Sequence, residues 1–136
     1  MLRYALDTNL CIRVLRDRPP QARERFNATS DSLSISTVVL TELLVGARKS
    51  DRPEQNLARV EHFADRLEVL AFDAAAADHA ADIRARLEAK GSPIGAYDVL
   101  IAGHARSQGL ILITGNLREF QRVEGLRCED WLAAKS

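Results

Sequence analysis

The amino-acid sequence predicts an α/β domain: a central, mostly parallel sheet of four to five strands with helices on both faces. Three observations predict it. Strand-like and helix-like segments alternate from end to end, the order that a parallel sheet with helical crossovers requires. The strand segments are short, apolar-rich runs that end at a polar or capping residue. The 136 residues carry no internal repeat or linker, so residues 1–136 are expected to form one domain around one core. At that size roughly two thirds of the unfolded chain's surface is buried on folding.

Taken in order, the four core strands are expected at Arg3–Leu6, Leu33–Ser36, Glu68–Phe72 and Leu110–Thr114, with a fifth near Leu126–Cys128. Between them, apolar residues recur at helical spacing over Asn9–Arg16, Pro20–Asn27, Val38–Lys49, Pro53–Asp65, Ala74–Lys90 and Tyr97–Gln108. Thr37 and Asp73 stand where N-caps would open helices. Gly91 and Gly109 stand where a left-handed residue would close them.

Composition narrows the class. The chain is 46% hydrophobic and 28% charged, which excludes a disordered or low-complexity protein. Nineteen cations balance nineteen acids, so there is no overall basic excess of the kind that marks many nucleic-acid binders. All the cations except Lys49, Lys90 and Lys135 are Arg, whose planar fork matches phosphate. Acids gathered at a metal would leave the rest of the surface net positive. Cys11 and Cys128 have no zinc-ligand spacing and offer no disulfide framework, so reduced thiols are expected. The acid at Asp7 interrupts the amino terminus before a signal-peptide stretch can form, and no apolar run reaches transmembrane length; a cytoplasmic protein without a membrane partner is the expectation.

Three acids stand out. Asp7 directly follows the first strand, where open parallel sheets place ligand sites; on position alone, Asp7 or Thr8 could equally be the cap of the next helix. Glu42 is flanked at helical spacing by Val38, Val39, Val45 and Gly46, which puts a carboxylate in an apolar stripe that demands a partner. Asp98 has Ile94, Ile101 and Ala102 around it in the first turn of a helix opening after Gly95, a place that also suits the helix dipole. Were the three to meet at one sheet edge, they would repel unless a divalent cation neutralised them. Oxygen donors without His or Cys suit Mg²⁺ or Mn²⁺, and metal-assisted phosphodiester hydrolysis is the chemistry that follows.

Four segments in fixed order, LDTN (Leu6–Asn9), TELLVGA (Thr41–Ala47), DVLIAGHA (Asp98–Ala105) and TGNLREF (Thr114–Phe120), followed by RCEDWL (Arg127–Leu132), resemble the VapC toxins of the PIN-domain family. The resemblance spans essentially the whole chain. It implies a PIN-like fold and a ribonuclease with Asp7, Glu42 and Asp98 as catalytic metal ligands around Mg²⁺ or Mn²⁺. It also implies an RNA substrate, a tRNA anticodon loop first, a cognate VapB-like antitoxin as partner, and a homodimer within a higher toxin–antitoxin assembly.

Many PIN domains carry a fourth acid after the strand that ends here at Thr114, whereas this chain has Gly115 and Asn116. Asn116 keeps an oxygen and loses the charge, so a second metal should bind less tightly, or Glu119 reaches in from the next turn; paired with Arg118 or Arg122, Glu119 would instead be a surface acid. Thr8, Asn9 and Thr114 are candidate supporting groups, with helix capping the competing duty, especially for Asn9. Arg13, Arg16, Arg18, Arg23 and Arg25 form an Arg-rich stretch that either contacts RNA or lines a solvated helix face. His62, His79 and His104 lack metal-ligand spacing.

Two rivals remain in view. A strand ending in Asp also opens haloacid-dehalogenase-like phosphatases and phospho-receiver domains, but the phosphatases want an acid where this chain has Asn9, and both want a Lys near a later strand end. The lysines read as helix ends or tail. A PIN-like module that has lost catalysis and serves in binding or assembly is the second rival, and the missing acid at position 116 is its support.

Overall fold

The computed structural model describes residues 1–132. Lys135, read above as tail, lies outside the described residues, as does the rest of the 133–136 stretch assigned to the single domain. Five strands form one parallel sheet: β1 (Tyr4–Leu6), β2 (Leu33–Ser36), β3 (Glu68–Leu70), β4 (Ile111–Ile113) and β5 (Cys128–Glu129), in the order β3-β2-β1-β4-β5. Helices flank it: α1 (Thr8–Arg16), α2 (Pro20–Thr29), α3 (Thr37–Arg48), α4 (Pro53–Ala64), α5 (Ala74–Ala89), α6 (Ala96–Gln108) and the short α7 (Leu117–Phe120).

The topology locates a site before any side chain is considered. From the central β1 the chain builds outward through β2 and β3, then crosses back to add β4 and β5 on the other side. The direction of growth therefore reverses between β1 and β4. In open parallel sheets the crevice at the carboxyl ends of such a strand pair is where ligands sit.

Burial explains the strand sequences. Leu6, Leu33, Ile35, Leu112 and Ile113 are almost completely buried, as strands covered by helices must be, and so read as continuous apolar runs. The expected core strand at Glu68–Phe72 is instead an edge strand ending at Leu70, with Glu68 and Val69 exposed. Its ladder stops because the Phe72 amide donates to Thr37 Oγ1 at 3.1 Å. The fifth strand begins two residues later than expected, since Leu126 is held in a turn by its amide's bond to the Val123 carbonyl.

Capping differs from expectation at one helix. Ser36, not Thr37, caps α3, its Oγ accepting from the Val39 amide at 3.2 Å; Thr37 is the first helical residue. Asp73 caps α5 as expected, at 2.9 Å from the Ala76 amide, and Gly91 and Gly109 both take φ +68°, which a side chain would resist. The 3₁₀ turn Ser30–Ser32 and α7 escaped the sequence reading; at three and four residues they are too short to show a period.

Two packing contacts fix the helical layers. Phe26 and Phe63 stack with ring centroids 5.1 Å apart and join α2 to α4. Gly103 lets α6 approach α5 so closely that a Cβ there would stand 2.7 Å from Ala80. Cys11 and Cys128 are both free, and burial pushes their thiols up, that of Cys128 to about 11.

Candidate active site

The three acids enter the crevice from three elements. Asp7 is the residue at which β1 ends and α1 begins, and its amide still donates to the Ile113 carbonyl of β4 at 3.1 Å. The two duties weighed for it coexist. Oδ1 caps α1 by accepting from the Leu10 amide at 2.9 Å, while Oδ2 accepts from the buried Thr114 hydroxyl at the end of β4. Asp7 is 5% exposed, and burial raises its carboxyl above the ordinary aspartate range; the Thr114 and Leu10 bonds and Arg13 pull it down, and Glu42 pushes it up.

Glu42 reaches the site from α3. The Thr8 hydroxyl donates to its Oε1 at 2.6 Å and so ties the first turn of α1 to α3. The apolar-stripe argument for its burial needs correcting. The buried face of α3 is Val39, Leu43 and Ala47, one position round the helix, whereas Val45 and Gly46 are exposed. Glu42 therefore lies at the margin of that face, half-buried and turned toward the crevice.

Asp98 stands in the first turn of α6 against Glu119 from α7. Burial and the neighbouring carboxylates of Glu119, Asp7 and Glu42 raise its carboxyl to about 7, so all four acids share one field. Burial also pushes Glu119 up, but the Gly95 amide (3.0 Å to Oε1), Asp98, the Asn116 side-chain amide (2.5 Å to Oε2) and Arg122 hold it below the usual range. Asn116 bridges Glu119 to Thr114, whose Oγ1 accepts from the Asn116 backbone amide at 3.0 Å.

Asn9 does not cap α1; Asp7 does, leaving Asn9 as an exposed residue of the first turn. Gly95 escaped the sequence reading except as a helix start. A Cβ there would lie 3.1 Å from Asp98 Oδ2 and 3.9 Å from Glu119 Oε1, so the glycine makes room for the two carboxylates. Only the position of Gly95 directly before the helix that carries Asp98 hinted at this. Of the arginines, Arg23 pairs with Asp17 at 3.3 Å and Arg25 lies over the Trp131 ring, so these two serve the fold. Lys49 and Lys90 are the C-caps of α3 and α5, which leaves the phosphatase and receiver rivals without a lysine at a strand end among the described residues.

Among the described residues, every ion pair involves Asp17, Asp82 or Glu88; Asp7, Glu42, Asp98 and Glu119 have none. Nor do any three His, Cys, Asp or Glu side chains there close into a preformed metal cluster. The donor set is all oxygen and concentrated in charge. It fits a hard divalent ion.

The chain is thus a parallel α/β domain with carboxylates free of ion pairs near its switch point. The family model of the PIN domain matches residues 4–126, and the chain belongs to the PIN domain family. Within it, the chain groups with VapC proteins. It is 54% identical to the tRNA(fMet)-specific endonuclease VapC of Shigella flexneri over 96% of this chain and 99% of that one. To Ribonuclease VapC2 of Haemophilus influenzae it is 46% identical, over 97% of this chain and all of the relative. The fold of DNA-bound VapBC from Salmonella typhimurium superposes with a TM-score of 0.92 at 53% identity, covering 96% of this chain and 99% of that one. Rickettsia felis VapBC2 gives 0.90 at 35% identity, with the same coverage. No described helix is long and apolar enough to cross a membrane.

Proposed function

We propose that the chain is a metal-dependent endoribonuclease, the toxin of a toxin–antitoxin pair, which hydrolyses RNA phosphodiester bonds with Asp7, Glu42 and Asp98 as the catalytic metal-holding residues. The observation that carries the reading is the set of acids near the β1/β4 switch point, none of them in an ion pair among the described residues. Asp7, Glu42 and Asp98 would hold a Mg²⁺ or Mn²⁺ ion, which would supply Lewis acidity and an activated water for phosphodiester hydrolysis to a 3′-hydroxyl and a 5′-phosphate.

The chain's own residues set the conditions for that chemistry. Thr114 and the Leu10 amide lock the Asp7 carboxylate in one orientation, and Thr8 does the same for Glu42. Glu119 stands against Asp98, whose raised carboxyl a bound cation would favour in its ionised form. Thr8, Asn116 and Glu119 are in this reading positioning residues, Thr114 likewise, and Asn9 is free to meet substrate.

The relatives' activity makes tRNA(fMet) the first substrate to try, and the complexes formed by its structural neighbours point to a VapB-like antitoxin. A groove of about 250 Å³ between α1, α3 and α4 starts at Glu42. Past Leu15 and Arg59 it runs into a second, of about 390 Å³, over Phe26 and Phe63 with Arg23 and Arg66 at its rim. An extended antitoxin segment lying there would carry an Arg or Lys to Glu42 and exclude the metal. The same reading makes the protein a cytoplasmic homodimer within a larger toxin–antitoxin assembly.

The test is incubation of tRNA(fMet) and total tRNA with the purified chain and Mg²⁺ or Mn²⁺, beside a chelator control and the Asp7→Asn variant. Discrete fragments with 5′-phosphate ends that require both metal and Asp7 support the reading. Intact RNA in every lane, with metal binding demonstrated separately, replaces it with a non-catalytic PIN module.

A further inference from the structure

A wide cavity opens beside the carboxylates and is lined by none of them. It measures about 850 Å³ and lies beside the groove that begins at Glu42, sharing Ile12 and Arg16 of α1 with it, against the β4–α7 turn and the C-terminal segment. Its polar lining is Asn9, Arg13, Arg16, Arg18, Asn116 and Asp130. Asn116 and Arg13 join it to the acid site: Asn116 bonds Glu119, and Arg13 is near enough to Asp7 to lower its carboxyl.

Several arginines elsewhere are committed to acids. Arg84, Arg86 and Arg106 are committed to Glu88 and Asp82, and Arg23 to Asp17. Among the described residues, Arg13, Arg16 and Arg18 form no ion pair and donate no side-chain hydrogen bond, although Asp130 shares their cavity; its Oδ1 instead accepts from the Leu132 amide at 2.8 Å. Three guanidiniums held on one short stretch, unpaired and facing a polar trench that opens beside the carboxylates, form a track for consecutive anions. A neutral chain thereby acquires a local cationic path.

We propose that this trench carries the RNA strand on one flank of the scissile phosphate, with Arg13, Arg16 and Arg18 binding its backbone phosphates and Asn9 and Asn116 at the junction with the catalytic acids. The proposal rests on the ribonuclease reading for its substrate. It adds that substrate and antitoxin meet adjoining faces of α1, which share Ile12 and Arg16.

The test uses the Asp7→Asn chain, which binds without cutting, and labelled tRNA(fMet) titrated across a range of salt concentrations. Replacing Arg13, Arg16 and Arg18 by Gln should weaken binding at least tenfold and flatten the slope of log affinity against log salt by about 2, since each single-strand phosphate left without its arginine accounts for about 0.7. A charge-matched control with Arg48, Arg52 and Arg84 replaced by Gln should leave both nearly unchanged. Thermal melts of both triple variants, together with the three single replacements, exclude misfolding as the cause. The idea is overturned if the control lowers the slope equally or if the trench variant binds like its parent. It is also overturned if the trench variant keeps RNA affinity but loses a co-expressed antitoxin, since the trench would then be a protein site. Should the parent bind through the trench yet the intact wild type cut nothing with metal, the catalytic reading fails and the trench stands. Cleavage that ignores the trench replacements does the opposite: the catalytic reading stands and the trench fails.

Discussion

Acids stand at both ends of α6, and the protein treats them in opposite ways. Beside its last turn Asp82 accepts from Arg86 and Arg106, both at 2.8 Å, and those bonds lower its carboxyl below the usual range. Arg106 goes on to bond His79 Nδ1 and the Glu124 carbonyl, joining α5 and α6 to the loop after α7. At the switch point Asp98 meets Glu119, Asp7 and Glu42, none of them in an ion pair among the described residues, and its carboxyl rises to about 7. A compensated acid adds cohesion. An uncompensated group of acids costs stability and is maintained for something that arrives from outside the chain.

Breaking the switch-point cluster should have the largest effect. Asp7→Asn keeps a capping side chain for α1 and removes a ligand, so RNA cleavage should fall by more than about a hundredfold, whereas the melting temperature holds or rises as repulsion is relieved. A gel assay beside a thermal melt checks both halves, and a large loss of stability would tell against the assignment.

Breaking the other side should show the reverse pattern. Gly103→Ala forces a methyl onto Ala80 and should cost about 1–3 kcal/mol, a fall of several degrees in Tm, while the variant still cleaves RNA at low temperature. Denaturant titration measures it.

The two clusters also titrate with opposite sign. Asp98 binds its proton more tightly folded than unfolded, so the stability tied to that proton is full below pH 3.8 and is lost as pH rises to about 7. For Asp82 the stability is present above 3.8 and is lost only as pH falls below it. Between these values the metal-free protein should therefore become less stable as pH rises, and Asp98→Asn should flatten that slope; melts in chelator across the range test it.

The smallest effect expected is at Gly95. Gly95→Ala should displace Asp98 by a few tenths of an ångström and slow cleavage roughly tenfold with little change in melting. If cleavage is unaffected, the close approach at Gly95 has no bearing on the site.

What the sequence revealed follows the same division. Asp7 and Asp98 were legible because each interrupts an apolar pattern at a strand end or in a helix's first turn, and the parallel sheet was legible from alternation alone. The caps show the limit: Ser36 and Thr37 are adjacent and chemically alike, and only the bond from Phe72 to Thr37 decides which one caps. Contacts made by residues far apart in the chain, Thr8 with Glu42 and Thr114 with Asp7, leave no local period. The edge position of β3 depends on the whole strand order. Glu68 and Val69 by themselves read as any strand would.

The central claim is that the switch-point acids are an ion site awaiting its cation. Calorimetric titration of the metal-free chain with Mn²⁺, repeated on Asp7→Asn and Asp98→Asn, addresses it directly. The account predicts binding accompanied by proton release near pH 7 in the wild type, abolished or much weakened in both variants. Equal binding in all three proteins, or none in any, would contradict it.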